Sequence, residues 1–319
     1  MQAPQPLVRL TTMLIREAYA QGSADLKFAE IPTPALDSSL ILAHVLKTNR
    51  TSLVAKGMDT ISAKDCEKFC SLIERRALGE CVAYITGKKE FRGLEFEVNK
   101  SVLVPRPDTE TLVEVILEEF LPRTGTANFQ FDGSFTNKHE QEKIKVLDLC
   151  TGSGAVAISL KNEAPELEIY ATDISPDALD TAKKNSEKLL GKNKVNFHLG
   201  DLFQALPDSL TSASSQEFFS LIISNPPYVP SAEIETLSAE VRNEPRIALD
   251  GGKDGLDIIK RIINDAPDYL TDGGYLLLEA APHQMEEISI LLAKRGFKSI
   301  QLNKDLSGTN RVIGGSFEK

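Results

Sequence analysis

The tetrapeptide Asn225-Pro226-Pro227-Tyr228 is the part of the sequence whose residue types are best suited to chemistry. It follows an apolar run, residues 218–224, that is typical of a buried strand. The two prolines cannot donate hydrogen bonds and they fix the backbone, which leaves the Pro226 carbonyl free to accept. Together with the side-chain oxygen of Asn225, this carbonyl could accept both hydrogens of a planar NH2 group.

Three segments that precede the tetrapeptide suit a nucleoside ligand. A buried strand runs into the glycine turn 150–154, which opens a helix whose free N–H groups could bind the carboxylate of methionine. Asp173 ends a second strand and could accept both ribose hydroxyls, with a helix N-cap as its alternative role. Asp201 and Leu202 follow a third strand and could bracket an adenine ring. We therefore predict that S-adenosylmethionine, as methyl donor, is bound by Cys150, Thr151, Gly152, Ser153, Gly154, Asp173, Asp201, Leu202 and Asn225.

The donor and acceptor features together predict methyl transfer to an amide or amino nitrogen. An amide nitrogen is a poor nucleophile, but two fixed acceptors would aim it at the methyl group and stabilise the developing positive charge. No strong base is then required, because the proton can leave after transfer. We expect catalytic roles for Asn225, Pro226 and Tyr228, the last as an aromatic face, and acceptor contacts from Pro227 as well. The tetrapeptide alone leaves glutamine amides and the amino groups of adenine, guanine and cytosine as candidate acceptors.

The pattern of strands and helices indicates the fold class. From residue 144 onward short apolar runs alternate with amphipathic ones, which predicts a parallel sheet covered on both faces by helices. The last two strands, near 297–302 and 311–317, are joined by a segment too short for a crossover helix and should be antiparallel. A doubly wound, mostly parallel α/β sheet closed by an antiparallel hairpin is the class I S-adenosylmethionine methyltransferase fold. The G-x-G-x-x-G fingerprint of nicotinamide-dependent enzymes is missing, which disfavours that class.

The sequence before residue 107 has a different pattern of apolar residues. Helical spacing of apolar residues predicts a small N-terminal helical domain over 1–83, and β-prone segments at 90–96 and 101–104 predict a β-hairpin linker over 84–106. The methyltransferase domain then occupies 107–319 and includes a polar insertion at 122–142.

Composition limits the partners. Lysine and arginine total 36 against 46 acidic residues, and the net charge of -10 argues against stable binding of nucleic acid. No apolar run approaches the roughly 20 residues needed to span a bilayer, so no membrane partner is expected. The four cysteines lack metal-binding spacing, so no metal is expected. We expect a monomer.

Two further blocks carry a family resemblance. Residues 84–91 and 102–110, together with the Asn-Pro-Pro-Tyr motif, closely resemble the HemK-type glutamine methyltransferases of peptide chain release factors, and the likeness spans nearly the whole chain. It implies N5-methylation of the glutamine in the Gly-Gly-Gln loop of a class I release factor, gripped in part by the helical domain. It also implies that Arg106 lies at the substrate entrance. Cys150 departs from the family by replacing a frequent glycine, and Leu202 stands where an aromatic residue can occur.

Two other functions stay open at this point. One is amino-group methylation of adenine or guanine in RNA or DNA with the same tetrapeptide, and the other is a donor-binding scaffold without turnover. For the compartment we expect the mitochondrial matrix, with the cytoplasm as alternative. The segment before Glu17 contains no acidic residue and faintly resembles a mitochondrial presequence. The insertions at 122–142 and 207–216 are typical of eukaryotic chains.

Overall fold

The computed structural model describes residues 13–121, 144–211 and 219–319. The predicted insertion at 122–142, and residues 212–216 of the second one, lie outside these described residues. Contacts divide the chain into two compact units. The smaller unit comprises the described residues up to Gly87 together with Ser238–Asn243, and the larger unit comprises Lys88–Leu237 and Glu244–Lys319. The division at residues 83 and 106 that we drew from the sequence stays a prediction.

The smaller unit is helical. Its helices are α1 (Ile15–Phe28), α2 (Pro34–Val45), α3 (Arg50–Ala55), α4 (Ala63–Ala77) and α5 (Val82–Thr86), accompanied by the short helix Ala239–Arg242 and by a two-stranded ladder of β1 (Met13–Leu14) and β2 (Thr60–Ile61). The amphipathic stripes of α1, α2 and α4 form one buried cluster that includes Leu26, Leu42 and Phe69. Ser62 caps α4 by accepting a hydrogen bond from the Asp65 amide at 3.1 Å.

The region between 84 and 104 differs in part from the prediction. A hairpin is present, with β3 (Lys88–Phe91) paired to antiparallel β4 (Leu94–Glu97). Residues 84–86, however, belong to helix α5, whose left-handed cap is Gly87. Residues 101–104 are not a strand, because the Val104 amide donates to the Glu244 side chain instead of to a neighbouring strand. The β-prone sequence of residues 101–104 therefore belongs to a loop that approaches the cavity described below.

A seven-stranded sheet with the order β10-β11-β9-β8-β5-β6-β7 organises the larger unit. Its strands are β5 (Lys145–Leu149), β6 (Glu168–Asp173), β7 (Asn196–Leu199), β8 (Phe219–Ser224), β9 (Leu270–Glu279), β10 (Lys298–Lys304) and β11 (Asn310–Phe317). The first five pair with one another in parallel, and β11 is antiparallel to both β9 and β10. This arrangement confirms the predicted class I methyltransferase fold.

Helices cover both faces of this sheet. They are α6 (Glu110–Val115), which continues as a π-helical turn over Ile116–Phe120, α7 (Ala155–Glu163), α8 (Pro176–Leu190), α9 (Asp257–Asp265) and α10 (Met285–Arg295). Successive residues of a strand point to opposite faces, and accordingly Leu221 and Ile223 lie in one core cluster while Ile222 lies in the other. The chain order reverses between β5 and β8, so a crevice opens where their carboxyl ends meet.

A buried arginine links the helices of the smaller unit. The Arg76 side chain is 1% exposed, and its Nε donates to Oδ2 of Asp37 at 2.7 Å. A second ion pair joins Arg76 to Glu240, whose side chain is 41% exposed. Because a buried charge without its partner is costly, Asp37 is the more important of these two carboxylates.

We expect Asp37→Ala to lower the free energy of unfolding by about 3–5 kcal/mol, since it leaves the Arg76 charge buried without its closest buried partner. Glu240→Ala removes a solvent-exposed partner of the same arginine and should cost less than about 1 kcal/mol. Urea unfolding of both variants followed by circular dichroism measures the difference. Equal losses would show that burial of Asp37 is not what matters.

Candidate active site

A cavity of about 480 Å³ opens at the carboxyl ends of β5, β6 and β8, within the larger unit. It brings together residues of both predicted subsites. The predicted residues that line it are Arg106, Cys150, Thr151, Gly152, Ser153, Asp173, Asp201, Leu202, Asn225 and Pro227. Gly154, Pro226 and Tyr228 are not among the lining residues, and their positions are described below.

The glycine turn joins β5 to α7 and contains strained backbone. Gly154 has φ 80°, and a Cβ there would stand 2.7 Å from the Ile158 side chain, so only glycine fits. Cys150 also has positive φ, at 60°. A non-glycine residue in this region costs roughly 1–2 kcal/mol. Cys150 therefore stores strain in the wall of the cavity.

Asp148 braces the turn from the end of β5. Its Oδ2 accepts a hydrogen bond from the Thr151 hydroxyl at 2.6 Å, and its side chain is fully buried. Burial raises the pKa of Asp148 from 3.8 to about 7, against the lowering effect of Thr151. The Thr151 amide in turn donates to the Thr172 carbonyl at 3.0 Å, which ties the turn to β6.

Asp173 lies beside this turn at the end of β6. Its Oδ2 accepts from the Gly152 amide at 2.8 Å and its Oδ1 from the Ser175 amide at 2.9 Å. Ser175 rather than Asp173 caps α8, because the Ser175 hydroxyl accepts from the Ala178 amide at 3.2 Å. The Asp173 carboxylate is thus held by backbone groups with lone pairs left over, as a ligand for two hydroxyls must be. Burial raises its pKa.

Asp201 and Leu202 also line the cavity. Leu202 is 7% exposed, packs into a core cluster and has φ 50°, so its backbone is strained as well. Oδ2 of Asp201 pairs with Arg261 of α9 at 2.7 Å. Arg261 also lines the cavity, and nothing in its amphipathic helix distinguished it in the sequence.

The tetrapeptide follows β8 and is fixed by side chains from three other segments. Nδ2 of Asn225 donates to the Thr109 hydroxyl at 3.1 Å, which leaves its Oδ1 available to the cavity. The Tyr228 hydroxyl donates to Oε1 of the buried Glu279 at 3.4 Å. Tyr228 is therefore packed against the core beside the cavity, not presented as an open aromatic face. Among the described residues, no backbone N–H donates to the Pro226 carbonyl.

A glycine-rich loop, residues 251–255, packs against the backbone of the tetrapeptide. Gly255 has φ 76°, and a Cβ there would stand 2.3 Å from the Tyr228 carbonyl oxygen. A Cβ at Gly251 would stand 2.8 Å from the Pro227 carbonyl oxygen. The same Tyr228 carbonyl accepts from Nε2 of Gln284 at 2.9 Å. Backbone therefore lies directly on backbone here, which explains the glycine-rich segment that follows Asp250.

Arg106 reaches the cavity from the loop before α6. Its Nη2 donates to Oε1 of Glu244 at 2.5 Å, and the other Glu244 oxygen accepts from the Val104 amide at 3.0 Å. The Arg106 side chain is 35% exposed whereas that of Glu244 is fully buried. Glu244 thus fixes the direction of Arg106 at the mouth of the cavity, where an arginine can contact a polar substrate.

Sequence reasoning missed several residues that the structure brings to the site. Thr109 entered the sequence analysis only as part of the block 102–110, and Glu244 and Glu279 had no assigned role. Only Glu279 carried a signal in the sequence, as an acidic residue directly after the apolar run 275–278. Among the described residues no cluster of three or more histidine, cysteine or acidic side chains could hold a metal ion, and no helix is long and apolar enough to cross a membrane.

The two buried carboxyls make stability depend on pH. Burial raises the pKa of both Asp148 and Glu279 to about 7. From about pH 4 to 7 the folded chain binds more protons at these groups than the unfolded chain, so the free energy of unfolding should fall as pH rises. Asp148→Asn removes one of these titrations and should therefore reduce the slope. Denaturant unfolding at four pH values measures the slope, with the exposed Asp180→Asn as charge-matched control; an unchanged slope in Asp148→Asn contradicts the expectation.

Comparison with known proteins gives the same picture for both units. The PrmC N-terminal domain model matches residues 17–87, and the Methyltransferase small domain model matches residues 134–244. Among solved structures, the hMettl16 catalytic domain in complex with MAT2A 3'UTR hairpin 6 superimposes with a TM-score of 0.53. It is 15% identical and the match covers 78% of this chain and 82% of that one, so the likeness concerns the fold.

Curated relatives are similar over nearly the full length. A release factor glutamine methyltransferase of Coxiella burnetii is 38% identical over 281 residues, covering 88% of this chain and 91% of the relative. The protein of the same name from Deinococcus radiodurans is 35% identical over 301 residues, covering 94% and 98%. These matches confirm the HemK-type resemblance. The chain therefore belongs to the release factor glutamine methyltransferase family.

Proposed function

We propose that this chain transfers a methyl group from S-adenosylmethionine to N5 of the glutamine in the Gly-Gly-Gln loop of a class I peptide chain release factor and thereby supports translation termination. One observation carries the proposal. The side chain of Asn225 lies in the same cavity as the glycine turn and Asp173, and its Nδ2 is already engaged by Thr109. An acceptor oxygen for an NH2 group therefore stands beside a nucleoside site.

The donor-site residues fit S-adenosylmethionine. The start of α7 and the positive φ of Gly152, where a Cβ would meet no atom within 4 Å, give an open cradle for a carboxylate. The cavity volume is within the range of ligand cavities. Asp173 suits the ribose hydroxyls, and the apolar Leu202 with Asp201 suits a nucleobase. When bound, the donor supplies an electrophilic methyl group on a sulfonium.

The residues of the chain then position and polarise the amide. Oδ1 of Asn225 and the Pro226 carbonyl each accept one hydrogen of the glutamine NH2, so the nitrogen is held in one orientation. Both acceptors carry partial negative charge, which stabilises the positive charge that develops on the nitrogen during transfer. Arg106 and Pro227 lie at the same cavity and are proposed to contact the incoming loop. The proton is lost to solvent after transfer, and no side chain need act as a strong base.

Asn225→Ala should abolish most transfer while leaving the donor site intact. We expect the transfer rate to fall by about 100-fold or more, because one of two acceptors is removed from the transition state. The assay follows radiolabelled methyl transfer to a purified class I release factor, with mass spectrometry of its Gly-Gly-Gln peptide. Donor affinity, measured by calorimetry with S-adenosylhomocysteine, should change less than about threefold.

The same assay separates the alternatives. Total RNA and double-stranded DNA serve as competing acceptors, and label in nucleic acid alone would contradict the proposal and favour adenine or guanine methylation. Donor binding without label in any acceptor would favour a scaffold role. We also propose that the enzyme acts as a monomer and forms no stable complex with nucleic acid.

For the compartment we propose the mitochondrial matrix, with the cytoplasm as alternative. Residues 1–12 lie outside the described residues, whereas the helix from Ile15 onward is part of the folded unit because Ile15 and Ala18 are buried. We propose that a presequence, where present, lies before that helix. Imaging a carboxyl-terminal fluorescent fusion should show mitochondrial signal that is lost when residues 2–12 are deleted. A cytosolic signal from the full chain contradicts the proposal.

A further inference from the structure

The orientation of the Asn225 amide needs a physical cause. The two ends of an asparagine side chain have nearly the same shape, yet one donates hydrogen bonds and the other accepts them. Only the orientation with Oδ1 toward the cavity can accept a hydrogen from the substrate. Thr109 is the described side chain that contacts the amide, at 3.1 Å from Nδ2. A hydroxyl can accept or donate, so Thr109 alone does not select the orientation.

Glu279 determines whether the Thr109 hydroxyl donates or accepts toward Asn225. It ends β9, is 1% exposed, and faces both Thr109 and Tyr228. A carboxylate only accepts, so a hydroxyl that contacts it has to point its hydrogen toward it. Tyr228 does so at 3.4 Å to Oε1. Hydrogen bonding from Thr109 lowers the pKa of Glu279, against the raising effect of burial, and Oε2 of Glu279 accepts no hydrogen bond within the described part of the chain.

The unsatisfied oxygen strengthens the case for this direction. A buried acceptor without a donor costs about 1–3 kcal/mol, so a hydroxyl that turns toward Oε2 is favoured. Once the Thr109 hydrogen points at Glu279, its oxygen can only accept from Asn225. Nδ2 of Asn225 must then face Thr109, and Oδ1 must face the cavity. Asn225 through Thr109, and Tyr228 directly, are thus held by one carboxyl group.

We propose that Thr109 and Glu279 are positioning residues that form a buried relay, in which the Glu279 carboxylate orients the Thr109 hydroxyl and thereby fixes the Asn225 amide with its oxygen toward the acceptor. Thr109 also lines the cavity, whereas Glu279 lies behind it and is not among the lining residues. The relay rests on the proposed function of the cavity and explains why the Pro-Asp-Thr segment before α6 belongs to the same site as the tetrapeptide. An ion pair between Asp108 and Arg311, at 2.8 Å, lies beside the relay.

The test compares Thr109→Val with Thr109→Ser. Valine keeps the shape and removes the hydroxyl, so the amide of Asn225 loses its orienting partner, and kcat for release-factor methylation should fall roughly tenfold or more. Serine keeps the hydroxyl and should retain kcat within about threefold. Donor affinity should stay near that of the wild-type enzyme in both. Thr111→Val, a buried threonine two positions away with no role in the site, is the matched control.

Glu279→Gln gives a second, independent readout. An amide offers a donor as well as an acceptor, so the Thr109 hydrogen can turn back to Asn225 and kcat should fall several-fold. The wild-type kcat should rise with pH through the ionisation of Glu279, which is faced by Tyr228, Arg311 and Asp108. Because burial places the pKa of Glu279 at about 7, the rise should lie near neutral pH and be absent in Glu279→Gln.

The outcomes separate the relay from the proposed function. If the wild-type chain labels no glutamine, the proposed function fails. If it does, and Thr109→Val keeps wild-type kcat or Thr109→Ser is equally impaired, the relay is overturned. Should Thr109→Val fail to fold, Glu279→Gln decides the matter, because an unchanged kcat and pH profile would overturn the relay equally.

Discussion

An NH2 group presents two hydrogens in one plane, and a site that aims its nitrogen needs two acceptors held fixed in that plane. Proline fixes one of them, because the backbone of Pro226 cannot rotate freely and its carbonyl has no competing donor among the described residues. Asparagine supplies the other only when its orientation is set from outside. The rest of the larger unit can be understood as the means of holding these two oxygens opposite a nucleoside site.

The fold places strain where the ligand is expected. Cys150 and Leu202 both have positive φ without being glycine, and both line the cavity. Such backbone persists only when the surroundings determine it, and here β5 and β6 are paired to their neighbours on both sides. Leu202 adds its side chain to a core cluster, which offsets its strain. The paired strands and the core cluster therefore hold the strained backbone of both residues in place.

The sequence predicted those features that depend on local pattern. Alternating apolar runs predicted the parallel sheet, and the short link before Asn310 predicted the antiparallel hairpin, because both follow from the reach of the chain. The donor turn and the tetrapeptide were found because glycine and proline directly after a buried strand impose a particular backbone conformation. Thr109, Glu244 and Glu279 were not found, since their function arises from contacts across 51 to 140 positions of sequence. Residues 101–104 looked like a strand because a loop tied to a buried carboxylate is also extended.

The neutral side chain of Asn225 and the charged carboxylate of Glu279 have complementary roles. A carboxylate at 225 would accept a hydrogen in either orientation, but it would place a second negative charge near the buried Glu279 and raise the cost of burial. With asparagine, position 225 carries no charge of its own, and the charge of Glu279 beyond Thr109 is partly balanced by Arg311. That charge still favours the positive charge that develops on the amide nitrogen during transfer, because the intervening groups are buried and screen it weakly. The carboxyl group thus serves both orientation and electrostatics without contacting the substrate.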